Sequence, residues 1–176
     1  GNKLRSAFGY LKAYEEAGGT AEEIANAKAD VVYIMGLMGH YIGDCAQPLH
    51  TTLHYNGWTG ENPHGYTTWT GFHSWIDGGL IARAGITFAG LEPRVSVAEP
   101  LGLATRADGR DPLFVVAMDY ILAQHTQVEP LYQMEKDGLL GNGDKPVSEQ
   151  GRAFMEGQFL KGGTMLGRVW LTAWKT

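Results

Sequence analysis

A capping box and a proline bracket the segment that most constrains the fold of this chain. Thr20 and Glu23 have the spacing at which the hydroxyl accepts from the N3 amide and the carboxylate reaches back to the N-cap amide. From Ile24 to Ile42 apolar residues recur three and four positions apart, and the first proline is Pro48. Because the residue before a proline avoids the helical region, we predict one long helix that ends just before Pro48.

Helical periodicity continues through most of the remaining chain. Asp111 and Pro112 form a good N-cap and first-turn pair, and Gly18 with Gly19 closes the first helix. The predicted helices are Lys3–Ala17, about Thr70 to Arg83, Leu113–Lys136 with a kink or split at Pro130, and about Val147 to Trp174 with Met155, Phe159, Leu166 and Trp170 on one face.

Two stretches lack a sustained period. Thr51–Thr68 is rich in threonine, glycine, asparagine and aromatic residues, which indicates a long ordered loop. The segment from Gly85 to Gly109 is the least regular, with a short helix predicted at Ala98–Arg106. No strand pattern or internal repeat is visible. The predicted fold is therefore all-α: a single multi-helix domain, residues 1–176, with one long loop between the helices that carry the candidate metal ligands.

Size and charge exclude several classes of protein. A chain of 176 residues is long enough for one domain with its own core. Its formal net charge of -5 argues against a broad basic surface for duplex nucleic acid. The lone Cys45 excludes an intrachain disulfide and a thiolate zinc knuckle. The longest apolar stretch, Val31–Gly39, is too short to span a bilayer, so we predict no transmembrane segment.

The chemistry concentrates in a pattern of histidines and aspartates. His40 and Asp44, and likewise His73 and Asp77, stand four residues apart and therefore share a helix face, and His50 lies between the pairs, just after the Pro48 break. One such pair arises readily on a solvated helix, but two pairs and a histidine are harder to attribute to chance among six histidines. Nitrogen and oxygen ligands suit zinc, and a set of three leaves a coordination position open.

The residues around this pattern resemble a known family. The runs His40-Tyr41-Ile42-Gly43-Asp44, Gln47-Pro48-Leu49-His50 and Phe72-His73-Ser74-Trp75-Ile76-Asp77 are similar to the HxxGDxxQPLH and HxxxD/E signatures of the S1/P1 nuclease and zinc-dependent phospholipase C superfamily. The resemblance implies a helical, secreted or periplasmic phosphodiesterase with up to three zinc ions, which hydrolyses phosphate esters of single-stranded nucleic acid or phospholipid with metal-activated water.

The same resemblance assigns roles to the individual residues. His40 would bind one zinc, and Asp44 would bridge two zinc ions and so take part in catalysis. His50, His73 and Asp77 would hold another zinc. The family's remaining ligands, an N-terminal tryptophan, a histidine and an aspartate and histidine pair, precede the first motif, where this chain has no histidine. We therefore expect the chain to be the C-terminal part of a longer protein, with one fully liganded zinc site.

Residues of the predicted loop are candidates for binding the phosphodiester substrate. The nuclease GGN motif is absent after His50, so the substrate class stays open between nucleic acid and phospholipid. Trp58, Tyr66, Trp69 and Trp75 are suited to stacking on a base or bedding an acyl chain, although we expect at least two of them to pack in the core. The predicted substrate contacts are His54, Trp58, His64 and Tyr66. We expect a structural role for His125 and a buried, non-ligating role for Cys45.

Two other interpretations compete with the hypothesis of a zinc-dependent hydrolase. One is a non-catalytic helical domain in which a structural zinc ties the loop to two helices. The other is a helical interaction module whose histidines and acids are incidental. A closed four-ligand site would favour the first, and stability unaffected by chelator would favour the second. We predict no stable protein partner.

Overall fold

Six helices and no strand make up the computed structural model, which describes residues 1–176. The all-α, single-domain prediction is confirmed. The α-helical segments are α1 (Asn2–Ala17), α2 (Ala21–Ala46), α3 (Phe72–Ser74), α4 (Leu80–Ala84), α5 (Phe88–Leu91), α6 (Pro112–His125), α7 (Val128–Lys136) and α8 (Glu149–Lys175). A π-helical segment, Trp75–Gly79, joins α3 and α4 into one continuous helix, and α5 is a single turn. The eight numbered segments therefore make up six helices and one isolated turn.

The long helix α2 begins and ends where its sequence signals predict. The Glu23 amide donates to Thr20 Oγ1 at 3.2 Å, and the Thr20 amide donates to Glu23 Oε2 at 2.8 Å. At the other end Gln47 is extended, with φ of -87° and ψ of 116°. Pro48 then opens a 3-10 turn, Pro48–Thr51. The break turns the chain away from the axis of α2 immediately before His50.

Helices α1, α2 and α8 pack together at one end of the molecule. Their shared core contains Leu4, Ala7, Val31 and Ala173, with Trp170 packed against it. α1 ends at Gly18, whose φ of 81° lies in the left-handed region that glycine adopts without strain. No helix of the structure has both the length and the hydropathy needed to cross a membrane.

A larger core of eleven buried residues lies beneath the long loop. Leu49 and Tyr66 enter it from the loop side, Phe72 and Ile76 from the α3–α4 helix, and Tyr132 from α7. The loop is ordered by its own contacts, since Asn62 accepts from the Tyr66 amide and donates to the Tyr66 carbonyl, both at 2.8 Å. The predicted loop thus covers the larger core, and both ends of the loop are held in place.

The predicted helix at Ala98–Arg106 is wrong. The chain there is irregular and runs along α8, where the Leu101 amide donates to Thr172 Oγ1 at 2.7 Å. Helical turns lie earlier instead, in α5 and in the 3-10 segment Glu92–Arg94. We call residues 94–106 the strap. Its contact with α8 gives the Leu101 amide an acceptor that the irregular backbone does not supply locally.

The helix predicted from Leu113 to Lys136 is split, but not at Pro130 itself. α6 ends at His125 and α7 begins at Val128, so Pro130 lies in the first turn of α7. A proline clashes with the carbonyl four residues earlier, here that of Thr126, but is tolerated in a first turn, where its missing N–H has no intrahelical partner. The break therefore falls one turn before the proline.

The last helix, α8, begins at Glu149 with Ser148 as its N-cap, close to the predicted Val147. The apolar face predicted on it is not uniformly buried. Met155 lies in the core, whereas Phe159 is 40% exposed. The exposed ring of Phe159 lines a cavity next to the candidate ligands. One part of this helix face therefore packs in the core, and another part borders the cavity.

Candidate metal centre

The predicted ligands come from three elements and meet at one place. His40 and Asp44 lie on the last turns of α2, His50 on the 3-10 turn that follows, and His73 and Asp77 on the helix that begins at Phe72. Packing of Leu49 and Phe72 in the larger core fixes the 3-10 turn against that helix. The chain thereby brings together residues that the sequence separates by a long loop.

Three of these side chains form a group that could hold a metal ion: His50, His73 and Asp77. The two Nε2 atoms lie 3.0 Å apart. Asp77 Oδ2 lies 2.8 Å from His73 Nε2 and 3.7 Å from His50 Nε2. Zinc binds nitrogen and oxygen at about 2.0–2.2 Å with tetrahedral angles, which separates ligand atoms by about 3.3 Å. The observed separations of 2.8–3.7 Å bracket that value, as they would in a group that could hold a metal ion.

The charge of the group is compatible with a bound cation. Two imidazole nitrogens and a carboxylate oxygen converge, and neither Asp44 nor Asp77 forms an ion pair with lysine or arginine. The side chains of His50 and His73 are 28% and 24% exposed, and that of Asp77 is 40% exposed. The three ligand atoms are therefore accessible from solvent, as an open site requires.

His40 and Asp44 extend the cluster outward. Asp44 Oδ2 lies 3.3 Å from His40 Nε2, and Asp44 Oδ1 lies 3.6 Å from His50 Nδ1. At 3.6 Å the second contact is electrostatic rather than a hydrogen bond. A carboxylate behind a ligating imidazole is a common arrangement at metal sites because it raises the basicity of the ring. His40 is 70% exposed, so the outer pair alone encloses no ion.

Two side chains outside the predicted ligand set, Gln47 and Asn56, position the triad. Gln47 Nε2 donates to Asp77 Oδ1 at 2.8 Å, and Gln47 Oε1 accepts from the Leu49 amide at 2.6 Å. Asn56 Oδ1 accepts from the His73 amide at 3.1 Å. The position of Gln47 directly before the Pro48 break was the available signal, because a side chain there caps the new turn.

Replacing Gln47 by alanine is expected to weaken zinc binding about tenfold to hundredfold, as loss of an outer partner of a metal ligand typically does. Loss of the Gln47 amide leaves Asp77 Oδ1 without its donor, so the carboxylate is free to rotate away from His73. Competition with a chromogenic chelator measures the affinity. Gln133→Ala is the matched control, because Gln133 donates to the surface residue Asp137. Equal affinities of the two variants would contradict the positioning role.

A glycine shapes the helix that carries two of the ligands. Gly79 ends the π-helical segment, and a Cβ there would lie 2.3 Å from the Trp75 ring. The Trp75 indole donates to the Leu140 carbonyl at 3.1 Å and packs against the larger core. Gly79 thus makes room for Trp75 within a widened turn around Asp77.

The predicted substrate contacts lie at different depths. His54 stacks on Trp58 at 3.8 Å between ring centroids, and its Nδ1 accepts from the Thr59 amide. His64 is exposed, whereas Tyr66 is 6% exposed and belongs to the larger core. These residues stay predictions as substrate contacts. Tyr55 is not among the predicted contacts, but its ring packs edge-on against that of His73, with 5.9 Å between the ring centroids. It is 55% exposed, so it is an accessible aromatic ring in contact with the triad.

The structure also shows where the four aromatic side chains of the loop region and His125 lie. Tyr66 is part of the larger core and Trp58 and Trp75 pack against it, as expected for at least two of the four rings, while Trp69 is 41% exposed. His125 Nδ1 donates to the Thr51 carbonyl at 3.0 Å and ties α6 to the 3-10 turn, which is a structural role.

Cys45 is half-buried and does not belong to the ligand group. Burial, and secondarily the neighbouring Asp44 carboxylate, raises the pKa of the Cys45 thiol. The thiol form is therefore favoured over the thiolate that binds metal.

A cavity of about 330 Å³ adjoins the cluster. Asp44, His50 and Asp77 line one side of it, and apolar residues of α8, including Phe159 and Leu166, line the other. No family model, curated protein or solved structure matches this chain. The geometry and chemistry of the site are therefore the basis for any function.

Proposed function

We propose that this chain carries the zinc site of a phosphoric ester hydrolase that acts on phosphodiesters of single-stranded nucleic acid or phospholipid. The observation that supports the proposal best is the His50, His73 and Asp77 group, whose ligand atoms converge and stay open to solvent. Three protein ligands leave a coordination position for water or substrate, which is typical of catalytic rather than structural zinc.

The chain's own residues have separable roles in this proposal. His50, His73 and Asp77 hold the ion, and Gln47 fixes the orientation of Asp77. A zinc ion held there supplies Lewis acidity toward a phosphoryl oxygen and lowers the pKa of water. Asp44 lies beside the triad, and its oxygens receive no hydrogen bond from a backbone or non-histidine side-chain group. Its carboxylate is therefore available to accept a proton from the attacking water or to hold a further cation together with His40.

The choice of phosphate esters rests on the three motifs between His40 and Asp77, which resemble the S1/P1 nuclease and phospholipase C signatures. The all-α fold agrees with that family's architecture. The apolar cavity beside the triad suits an uncharged substituent next to the scissile phosphate, whether an acyl chain or a base. Secretion or periplasmic residence belongs to the same proposal.

Hydrolysis of bis(p-nitrophenyl) phosphate by the zinc-loaded chain tests the function without choosing a substrate class. We expect zinc-dependent release of nitrophenolate, with the rate falling to that of buffer in Asp77→Asn. Asp30→Asn is the matched control, because Asp30 is exposed on α2 and lies outside the ligand group. Single-stranded DNA and phosphatidylcholine vesicles, assayed in parallel, distinguish the two natural substrate classes.

The alternative of a structural zinc predicts a different result. A chain that binds zinc at full occupancy, shows four protein ligands by X-ray absorption spectroscopy and hydrolyses none of these esters would refute the hydrolase and support the structural site. An open coordination sphere with water as a ligand supports the hydrolase.

A further inference from the structure

A second concentration of functional groups lies on the side of α8 opposite the metal centre. The cavity beside the triad is lined by Phe159 and Leu166, whereas Lys161, Thr164 and Arg168 point about half a helical turn away. These three residues, with Arg94 and Ser96 of the strap and Tyr120 of α6, line a separate pocket of about 470 Å³. None of them belongs to the candidate metal centre.

The pocket is cationic in a chain of net charge -5. Arg94, Lys161 and Arg168 reach it from two elements, and no carboxylate lines it. Glu156, the nearby acid, forms ion pairs with both Arg94 and Arg152, which leaves an excess of positive charge. Arg168 is half-buried and its side chain enters no salt bridge.

The pocket also holds hydrogen-bond donors without acceptors. The Tyr120 hydroxyl is buried and has no hydrogen-bond partner. The hydroxyls of Thr164, which is half-buried, and Ser96, which is exposed, line the same pocket. A polar group that is buried without a partner destabilises the folded state, so native structures normally satisfy it. The Arg168 guanidinium without a carboxylate partner and the buried Tyr120 hydroxyl without an acceptor lie at one place, and an anionic ligand rich in acceptor oxygens would satisfy both.

We propose that this pocket binds an oxyanion of the phosphate class. Phosphate offers several acceptor oxygens and more than a single negative charge, which suits the guanidinium fork of Arg168 and the point charge of Lys161. The hydroxyls of Ser96 and Thr164 supply further donors to the same oxygens. The proposal is independent of the hydrolase, because it uses the opposite face of α8 and needs no metal.

Titration calorimetry of the whole chain with inorganic phosphate, in the presence of chelator, tests this site without contribution from the metal centre. We expect one phosphate per chain, with the affinity falling at least about tenfold in Arg168→Gln, since the variant loses a charge-assisted hydrogen bond to the anion. Lys161→Gln, at an exposed position whose ammonium also donates to Gln158 Oε1 at 2.7 Å, is expected to weaken binding as well. Arg110→Gln, whose guanidinium pairs with Asp108 on another loop, is the control.

Several results would overturn the proposal. These are no binding at millimolar phosphate, equal binding by wild type and Arg168→Gln, or equal weakening by Arg110→Gln. The same titration with phenyl phosphate identifies the source of the ligand. Tighter binding of the ester indicates a phosphorylated molecule as the natural ligand, and tighter binding of inorganic phosphate indicates the free ion.

Discussion

Replacing His73 by alanine is expected to abolish zinc binding, from about one zinc per wild-type chain to none by elemental analysis. His73 Nε2 lies 3.0 Å from His50 Nε2 and 2.8 Å from Asp77 Oδ2, so its loss opens the centre of the ligand triangle. Two remaining ligands do not enclose a zinc ion. The effect should exceed the tenfold to hundredfold loss expected for an outer partner such as Gln47.

His64→Ala is the matched control for this experiment. His64 is exposed and outside the ligand group, so the variant should keep its zinc. Zinc retained by His73→Ala would place the metal elsewhere and remove the basis of the proposed hydrolase. The absence of zinc from the wild-type chain after dialysis against the metal would do the same.

Phe72→Ala is expected to be the most destabilising single change near the site, by about 3–5 kcal/mol. The ring is 0% exposed and lies 4.8 Å from the Tyr132 ring in the larger core. For a domain of this size each kcal/mol corresponds to about 2–4 °C, so Tm should fall by about 6–20 °C. Thermal unfolding followed by circular dichroism, in chelator, measures the change without the contribution of bound metal.

The matched control is Phe88→Ala, at a ring that is 77% exposed on α5. A surface change of this kind is expected to alter stability by about 0.5 kcal/mol or less. Similar losses in the two variants would mean that the larger core does not have the packing described. Because Phe72 begins the helix that carries His73, the variant should also bind zinc more weakly.

The ends of most helices were predictable because their signals are local. The capping box at Thr20, the Pro48 break and the Asp111 cap act through hydrogen bonds and torsion angles within a few residues, and all three occur as predicted. The predicted helix at Ala98–Arg106 failed because contact with α8, distant in sequence, outweighs a weak local preference. The split between α6 and α7 was predictable in kind, but not its position.

The sequence by itself determined which side chains share a face. Spacing of four residues on a helix pairs His40 with Asp44 and His73 with Asp77, whatever the rest of the chain does. It also indicated that His50 follows a break. These statements rest on the helical period, which is a property of the local backbone.

Only the tertiary structure decided that the two pairs meet. The contact from Gln47 to Asp77 spans the long loop, and that from Asn56 to His73 starts within it. Both exist because Leu49 and Phe72 are buried in one core. The cationic pocket around Arg168 likewise joins α8 to the strap and to α6. Burial of apolar surface is not directional, so the sequence indicates which residues enter a core, whereas the complete packing arrangement decides which functional groups are thereby brought together.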